Sequence, residues 1–436
     1  MLFRMPIKTG RRALPCHSII HAFCLLALAF GSALAHAGEK PLTLSNALSR
    51  AMAQNPGLQV FDFRLQGLDG RRITADQNPA LAAGLEVENF LGSDNLQGVD
   101  GAEYTLSLSS ILELGGKRQA RVRVVDSRYG RVEAERRAET LDLLGQVTQR
   151  FVATLALQEK LELAAEAVAL AEAAHKIVTR RVDRGAAPQA EVLRARAALT
   201  QSRIEQSRLQ TEFASRKMAL ASLWGDTSPD FQLLEGNLFQ FDSSDDFDAL
   251  YQRVSDSPAI QIYASEQRIR EAEIQLARSQ SESDIRWQVG IRRFEETDDT
   301  ALTAGLSVPL FSGRRNRGEV QAALAARDEV RFRRKDTLLR LHSRLFDAYH
   351  LRQQSIETIE QIHSQMLPDL TEALSQTREA YERGRYSYVE WTAAQRELLA
   401  ARRTLVDAAT TALLNQALIE QLTAQPLATV SGAPTR

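Results

Sequence analysis

Two stretches of this chain repeat one another about 199 residues apart, so the fold must contain two copies of one supersecondary block. Arg184-Gly185-Ala186-Ala187-Pro188-Gln189-Ala190-Glu191 aligns with Arg383-Gly384-Arg385-Tyr386-Ser387-Tyr388-Val389-Glu390. Gly116-Lys117-Arg118 aligns with Gly313-Arg314-Arg315, and Asn55-Pro56 with Ser257-Pro258 at nearly the same offset. Each copy joins two alternating strands to a very long helix, so the architecture is pseudo-symmetric.

From Gly116 to Arg184 there is no proline and the composition is rich in Ala, Glu, Arg, Leu and Gln. About 69 residues can therefore run as one helix of roughly 105 Å. Within it Leu141, Leu144, Thr148, Phe151 and Leu155 alternate steps of three and four, as do Val122, Val125, Tyr129 and Val132, which makes a coiled-coil-like packing seam. The second copy repeats this from Gly313 to Arg383 with Leu338, Leu341, Leu345, Ala348 and then Ile356, Ile359, His363, Met366. Pro368 should bend that helix or loosen one turn. Further helices are expected after each Arg-Gly turn (189–224 and 388–424) and before each strand pair (Ser45–Ala75 and Ala249–Glu282). The two shorter helices of a copy sum to about 65 residues, so stacked end to end they match the long one. Each copy then reads as a long hairpin with one continuous and one broken leg.

The strands precede the long helices. Leu85, Val87, Asn89 and Leu91 alternate with Gly84, Glu86, Glu88 and Phe90, and Tyr104, Leu106 and Leu108 with Thr105, Ser107 and Ser109. In the second copy Ile285, Trp287, Val289 and Ile291 oppose Arg286, Gln288, Gly290 and Arg292, and Leu302, Ala304, Leu306, Val308 and Leu310 oppose Thr303, Gly305 and Ser307. Runs of about 9 to 12 residues with one apolar and one wet face have the length of a membrane-crossing β-strand. The same pattern fits soluble hairpins with one face on a core. If the strands lie in lipid, four cannot close a barrel, and open edges there leave backbone groups unsatisfied at several kcal/mol each. Three chains would supply twelve strands and a lumen, whereas two would supply eight and a filled interior.

The first 37 residues read as a secretory signal, with Arg4, Lys8, Arg11 and Arg12, an apolar stretch from Ile19 to Ala35, and cleavage after Ala35 or Ala37. Cys16 and Cys24 both lie in it, so the mature chain is expected to hold no disulfide, thiol chemistry or lipid anchor. Lys plus Arg (54) nearly balance Asp plus Glu (55), which argues against a nucleic-acid partner. After residue 37 no run of 18 apolar residues occurs, so any membrane crossing must be made of strands. The remaining organisation is repeat 1 over 38–224 (strands 82–92 and 102–112, long helix 116–184), an irregular connector over 225–248, repeat 2 over 249–424 (strands 284–294 and 301–311, long helix 313–383), and a disordered tail over 425–436.

Catalytic chemistry is not written into the chain. Outside the signal the histidines are His175, His342, His350 and His363, with His342 and His350 about 12 Å apart along a helix, too far for one metal. No acid/base pair or nucleophile stands in a plausible constellation, so neither an enzyme nor a cofactor site is expected. Gly115-Gly116-Lys117-Arg118 lacks the spacing and hydroxyl of a phosphate loop and reads as a strand-to-helix elbow whose basic residues meet lipid headgroups or polar rims.

The signal peptide, the duplicated block, Leu112-Glu113-Leu114-Gly115-Gly116-Lys117-Arg118, Pro309-Leu310-Phe311-Ser312-Gly313-Arg314-Arg315 and the two Arg-Gly turns together resemble the TolC family of outer-membrane efflux proteins over nearly the whole mature chain. Leu85-Glu86-Val87-Glu88-Asn89-Phe90 and the Glu-Leu-Gly-Gly-Lys-Arg run look most like its CzcC-like branch, associated with cobalt, zinc and cadmium resistance. The resemblance implies a mainly α fold with a small β part: a homotrimer whose twelve-stranded barrel in the outer membrane continues as an α-barrel through the periplasm. It also implies a periplasmic membrane-fusion adaptor and an inner-membrane pump of the resistance-nodulation-division type as partners, with divalent heavy-metal cations as cargo selected upstream. A drug-efflux or type I secretion outlet shares the fold, and a pore-less periplasmic adaptor or scaffold is the alternative of another class. By the same resemblance Arg184, Gly185, Ala186, Ala187, Arg383, Gly384 and Arg385 are the adaptor-contacting tips, with Tyr386 flanking them. Glu390 would line the periplasmic gate and Tyr381 join its closing network, with Tyr386 in place of a gating arginine and Glu191 as the first-copy counterpart. Both glutamates also fall in first helical turns, where a carboxylate gains roughly 0.3 to 1 kcal/mol from the helix dipole, so a capping role stands beside the gate role.

Overall fold

The computed structural model describes residues 41–94, 97–241 and 245–425. The expected signal peptide with both cysteines, and the tail from 426 on, lie outside the described residues. In chain order the elements are β1 (Leu42–Thr43), α1 (Leu44–Gln54), α2 (Pro56–Ala75), β2 (Ala82–Glu88), β3 (Glu103–Leu112), α3 (Lys117–Asp183) and α4 (Gln189–Ala221). There follow β4 (Leu234–Glu235), α5 (Phe247–Ser255), α6 (Pro258–Ser279), β5 (Ile285–Phe294), β6 (Thr300–Ser307), α7 (Ser312–Arg315), α8 (Arg317–Gln361), α9 (Leu367–Glu382) and α10 (Tyr388–Thr423).

At 67 residues α3 is about 100 Å long, and α4, α2, α6 and α10 all pack along it. The broken leg of the first copy is α4 followed by α2. Their joint is Asn55, whose Oδ1 accepts from Leu58 N (3.2 Å) to cap α2 and whose Nδ2 donates to Leu223 O just beyond α4 (2.8 Å). In the second copy Ile419 and Leu422 of α10 pack beside Ile260 of α6. The main core lies at this level, with Phe151, Val147 and Leu155 of α3 against Leu405 and Ala409 of α10, Trp224 just after α4, and Phe231 and Leu238 of the connector.

Several boundaries differ from the sequence reading, each for a local reason. The helices expected over Ser45–Ala75 and Ala249–Glu282 are each two, because a proline drives the residue before it out of the helical region: Asn55 has ψ 121 and Ser257 ψ 154. The strand expected to reach 92 stops at Glu88, since Asn89 and Leu91 turn left-handed (φ 55 and 57). That expected over 301–311 ends at Ser307, before Pro309, which lacks a ladder donor. The 225–248 connector is not wholly irregular: Leu42 and Thr43 pair in parallel with Leu234 and Glu235, tying the start of the described chain to it.

The second long leg is interrupted at Asn316, whose Nδ2 donates to Ala277 O and Ser281 Oγ, and again by a π turn over Ile362–Met366. Pro368 removes the N–H that would bond one turn back, and the wider turn just before it absorbs the loss. The turn also resets the seam. Inward positions run Ile359, Ile362, Leu367 and Leu370, with one step of five, so His363 and Met366 are exposed rather than packed.

The elbow before α3 is also corrected. Lys117 is buried rather than at a lipid rim: its Nζ donates to Glu282 O (2.8 Å) and pairs with Asp284 (2.7 Å), fastening the first copy to the second. Gly115 at φ 70 makes the approach possible, since a Cβ there would lie 2.7 Å from Glu282 Cγ.

One antiparallel sheet of order β2-β3-β5-β6 joins the copies through β3 and β5. Its register aligns Leu85, Leu106, Ile291 and Leu302 in one row across all four strands. These side chains are 71%, 62%, 51% and 85% exposed, an apolar face that nothing among the described residues covers. The opposite face carries Glu86, Thr105, Arg292 and Ala301 in one row and Gly84, Ser107, Gly290 and Thr303 in the next. An apolar outside and a polar inside is the signature of a membrane barrel segment, not of a soluble hairpin on a core. Among the described residues no helix is long and apolar enough to cross a membrane.

Candidate functional site at the hairpin tips

Farthest from the sheet along the chain, α3 turns into α4 and α9 into α10 by the same backbone device. Gly185 (φ 71) and Gly384 (φ 78) take the left-handed conformation that ends a helix without a Cβ clash. Gly185 N donates to Val182 O (2.9 Å) and Ala186 N to Arg181 O (2.8 Å). Gly384 N donates to Tyr381 O (2.9 Å) and Arg385 N to Ala380 O (2.8 Å). Two Schellman turns thus present Arg184, Gly185 and Ala186, and Arg383, Gly384 and Arg385, as exposed loops, with Ala187 half-buried. A Cβ on Gly384 would lie 3.7 Å from Arg181 Nη2, so the tips are neighbours.

Behind the loops the tips share a core. Tyr381, 1% exposed, stacks on Trp391, 2% exposed, at 5.0 Å between ring centroids and 26° between planes. Tyr388 meets both rings edge-on, and Ile177, Val178 and Ala195 of the first hairpin complete the cluster. The Arg181 guanidinium lies over the Tyr381 ring at 4.4 Å while its Nη2 donates to Ala186 O (3.1 Å). The Tyr381 hydroxyl donates to Glu191 Oε2 at 2.8 Å. Burial raises the Tyr381 pKa, its hydrogen bond to the Glu191 carboxylate raises it further, and Arg181 opposes the shift. Burial, with a smaller contribution from Glu191, also raises that of Tyr388. The Tyr381 hydroxyl therefore keeps its proton and remains the donor throughout the neutral range.

The structure brings two of the sequence-predicted residues together, Tyr381 and Glu191. Glu390, the repeat counterpart of Glu191, instead closes a capping box on its own helix. Its Oε2 accepts from Ser387 N (2.7 Å) and Ser387 Oγ (2.9 Å), while Glu390 N donates to Ser387 Oγ (3.4 Å). Those bonds lower the Glu390 pKa, the backbone N–H foremost. Tyr386 is 49% exposed on the loop. Sequence reasoning missed Arg181, Tyr388 and Trp391. The signal for the two aromatic residues lay in the repeat itself, where Tyr381, Tyr388 and Trp391 replace Val182, Gln189 and Val192 of the first copy.

Comparison with known proteins agrees with this geometry. The model of the outer membrane efflux protein family matches residues 47–226 and again 249–425, one match per repeat. The chain is 26% identical to the cobalt-zinc-cadmium resistance protein CzcC of Cupriavidus metallidurans over 362 residues, 83% of this chain and 85% of that protein. It is 26% identical to the nickel-cobalt-cadmium resistance protein NccC of Alcaligenes xylosoxydans xylosoxydans over 315 residues, 72% of this chain and 69% of that protein. In fold it is similar to CusC, with TM-score 0.73 at 19% identity over 89% of this chain and 93% of that one. It is likewise similar to the open state of the MtrE outer membrane channel of Neisseria gonorrhoeae, with TM-score 0.69 at 17% identity over 88% and 89%. A duplicated helical hairpin surmounted by a lipid-faced sheet, matched in both halves, makes this chain a member of the outer membrane efflux protein family.

Proposed function

We propose that this protein is the outer-membrane exit duct of a tripartite efflux system, acting as a homotrimer that passes divalent heavy-metal cations outward. The observation that carries the reading is the four-stranded sheet, with one face exposed and apolar and two unpaired edges, β2 and β6. In lipid such edges must be paired, and three copies close twelve strands around a lumen.

A second feature supports assembly. Besides its inward stripe of Phe61 and Leu68, α2 exposes Phe63 and Ile73 on the other side and Val60 on its flank. α8 exposes Phe332, Leu339 and Phe346, spaced seven apart. Helices apolar on two sides are sandwiched. α2 leads into β2 and α8 follows β6, so closing the sheet lays the α2 of one copy against the α8 of the next. The occupant of both faces is a second copy of this chain.

The sheet lies in the outer membrane and the helices stand in the periplasm, with the tips toward the inner membrane. Arg184 to Ala187 and Arg383 to Arg385 then meet a periplasmic membrane-fusion adaptor joined to a resistance-nodulation-division pump. The contact from Tyr381 to Glu191, with Arg181 over the ring, latches the hairpins of one chain together and favours a narrow tip. Glu390 and Tyr386, both exposed, line the constriction between copies. The metal-resistance names of the relatives supply the cargo class. Deleting the gene should sensitise the cell to cobalt, zinc or cadmium, with rescue by the wild type. Sensitivity to drugs alone would move the duct to a drug-efflux role, and purified protein that never conducts in a planar bilayer would end the reading.

A further inference from the structure

The last row of the sheet's polar face before the outer loops holds two carboxylates directly opposite one another, Glu88 on β2 and Glu103 on β3. Cross-strand partners lie about 4.5 to 5.5 Å apart at Cα, and like charges so placed repel. Oxygen donors at this spacing are also what a divalent cation takes up. In this chain the position is already filled. Arg292 reaches across from β5 and uses three nitrogens, donating from Nη2 to Glu88 Oε2 (2.7 Å), from Nη1 to Glu103 Oε2 (2.8 Å) and from Nε to Thr105 Oγ1 (2.9 Å). Thr105, its cross-strand partner, is 3% exposed, and Asn89 Nδ2 takes the other Glu103 oxygen at 2.8 Å. Glu86 shares this face and forms no ion pair among the described residues, leaving a single carboxylate there.

Resting on the metal-duct reading above, we propose that Arg292 is a built-in counter-cation that keeps the outer mouth of the barrel from holding the ions that leave through it. A guanidinium matches carboxylates in a fixed fork, and here two of its nitrogens cover Glu88 and Glu103 while Thr105 holds the third, so the pair is already occupied. Without it each chain would offer Glu88 and Glu103, with Glu86 nearby, to a departing divalent cation, and a trimer would do so three times around one mouth. Arg292 is thus a specificity-determining residue: it makes the exit permissive by removing a trap.

The test is single-channel current in a planar bilayer, in potassium chloride, with cadmium added to the side of the outer loops. Arg292→Gln should conduct normally without cadmium and then be blocked at about tenfold lower cadmium than wild type or less, reversibly on chelation. The triple variant R292Q/E88Q/E103Q should lose that block. Equal block of wild type and R292Q, or block that survives in the triple variant, overturns the proposal. If R292Q fails to insert, Arg292→Lys serves, since one ammonium leaves part of the pair uncovered and a smaller shift is expected; no shift overturns the proposal. A wild type with no conductance would defeat the duct reading itself, whereas equal block in two conducting channels defeats only the role of Arg292.

Discussion

The two hairpin tips have the same backbone turn and a glutamate at the same place after the glycine, yet the two carboxylates do opposite things. Glu390 is held by its own helix end, and Glu191 reaches across to the other hairpin. One residue accounts for the difference. The second tip has Ser387 as N-cap, with a side chain that engages Glu390, whereas the first has Pro188, which offers neither hydroxyl nor N–H, so Glu191 is left for Tyr381. Around this the second tip supplies Tyr381, Tyr388 and Trp391 where the first has Val182, Gln189 and Val192. Duplication kept the turn, and side-chain divergence made one tip the ring donor and the other the charge donor.

The contrast can be broken most severely at Trp391. Trp391→Ala removes a fully buried ring that holds Tyr381 in place, and such truncations cost about 3 to 5 kcal/mol. Hydrogen exchange should show both tips opening while the sheet stays protected. Tyr381→Phe keeps the stack and deletes only the hydroxyl, leaving Glu191 without its partner, an effect of about 1 to 2 kcal/mol. Higher bilayer conductance with unchanged thermal stability of the bulk helices is the expected outcome. Pro188→Ser sharpens the comparison by giving the first tip the cap of the second. It should strengthen the start of α4 by about 1 kcal/mol while drawing Glu191 away from Tyr381, so local stability and channel opening should rise together.

The smallest effect is the pH dependence, and its sign differs between the Glu390 cap and the Tyr381 latch. The folded pKa of Glu390 is lowered, so its cap stabilises above the ordinary glutamate value of 4.5 and is lost as pH falls through the folded value. The folded pKa of Tyr381 is raised, so its contribution is complete below the ordinary tyrosine value of 10.0 and is lost as pH rises through the folded value. Acid should fray the start of α10 first and strong alkali the latch, seen as separate local exchange rates.

Much of the frame was legible in the sequence because it is periodic. Rows such as Leu85, Leu106, Ile291 and Leu302 follow from a period of two, and α3 from a proline-free run. Its breaks were harder to read. Asn55-Pro56 and Ser257-Pro258 stood out as repeat markers, although their effect on ψ splits each helix; Pro368 signalled a loosened turn, but the shift of the seam past His363 shows only in the backbone hydrogen bonding of the π turn. At the tips, resemblance picked out Tyr381 and Glu191 singly. Their pairing depends on the two hairpins lying side by side, 190 residues apart in sequence, and Arg181 entered only with that packing.

The central claim is that separate copies pool their strands into one closed wall. Leu85 on β2 and Leu302 on β6 lie three strand spacings apart within a chain, about 14 Å, beyond a short cross-linker. With cysteine pairs scanned along β2 and β6, since barrel closure staggers neighbouring strands, a cross-linker of about 8 Å applied to the detergent-solubilised protein should yield for at least one pairing a ladder ending at three chains, because β2 of one copy borders β6 of the next. Cross-linked species no larger than a monomer, with the protein otherwise folded, would contradict the account.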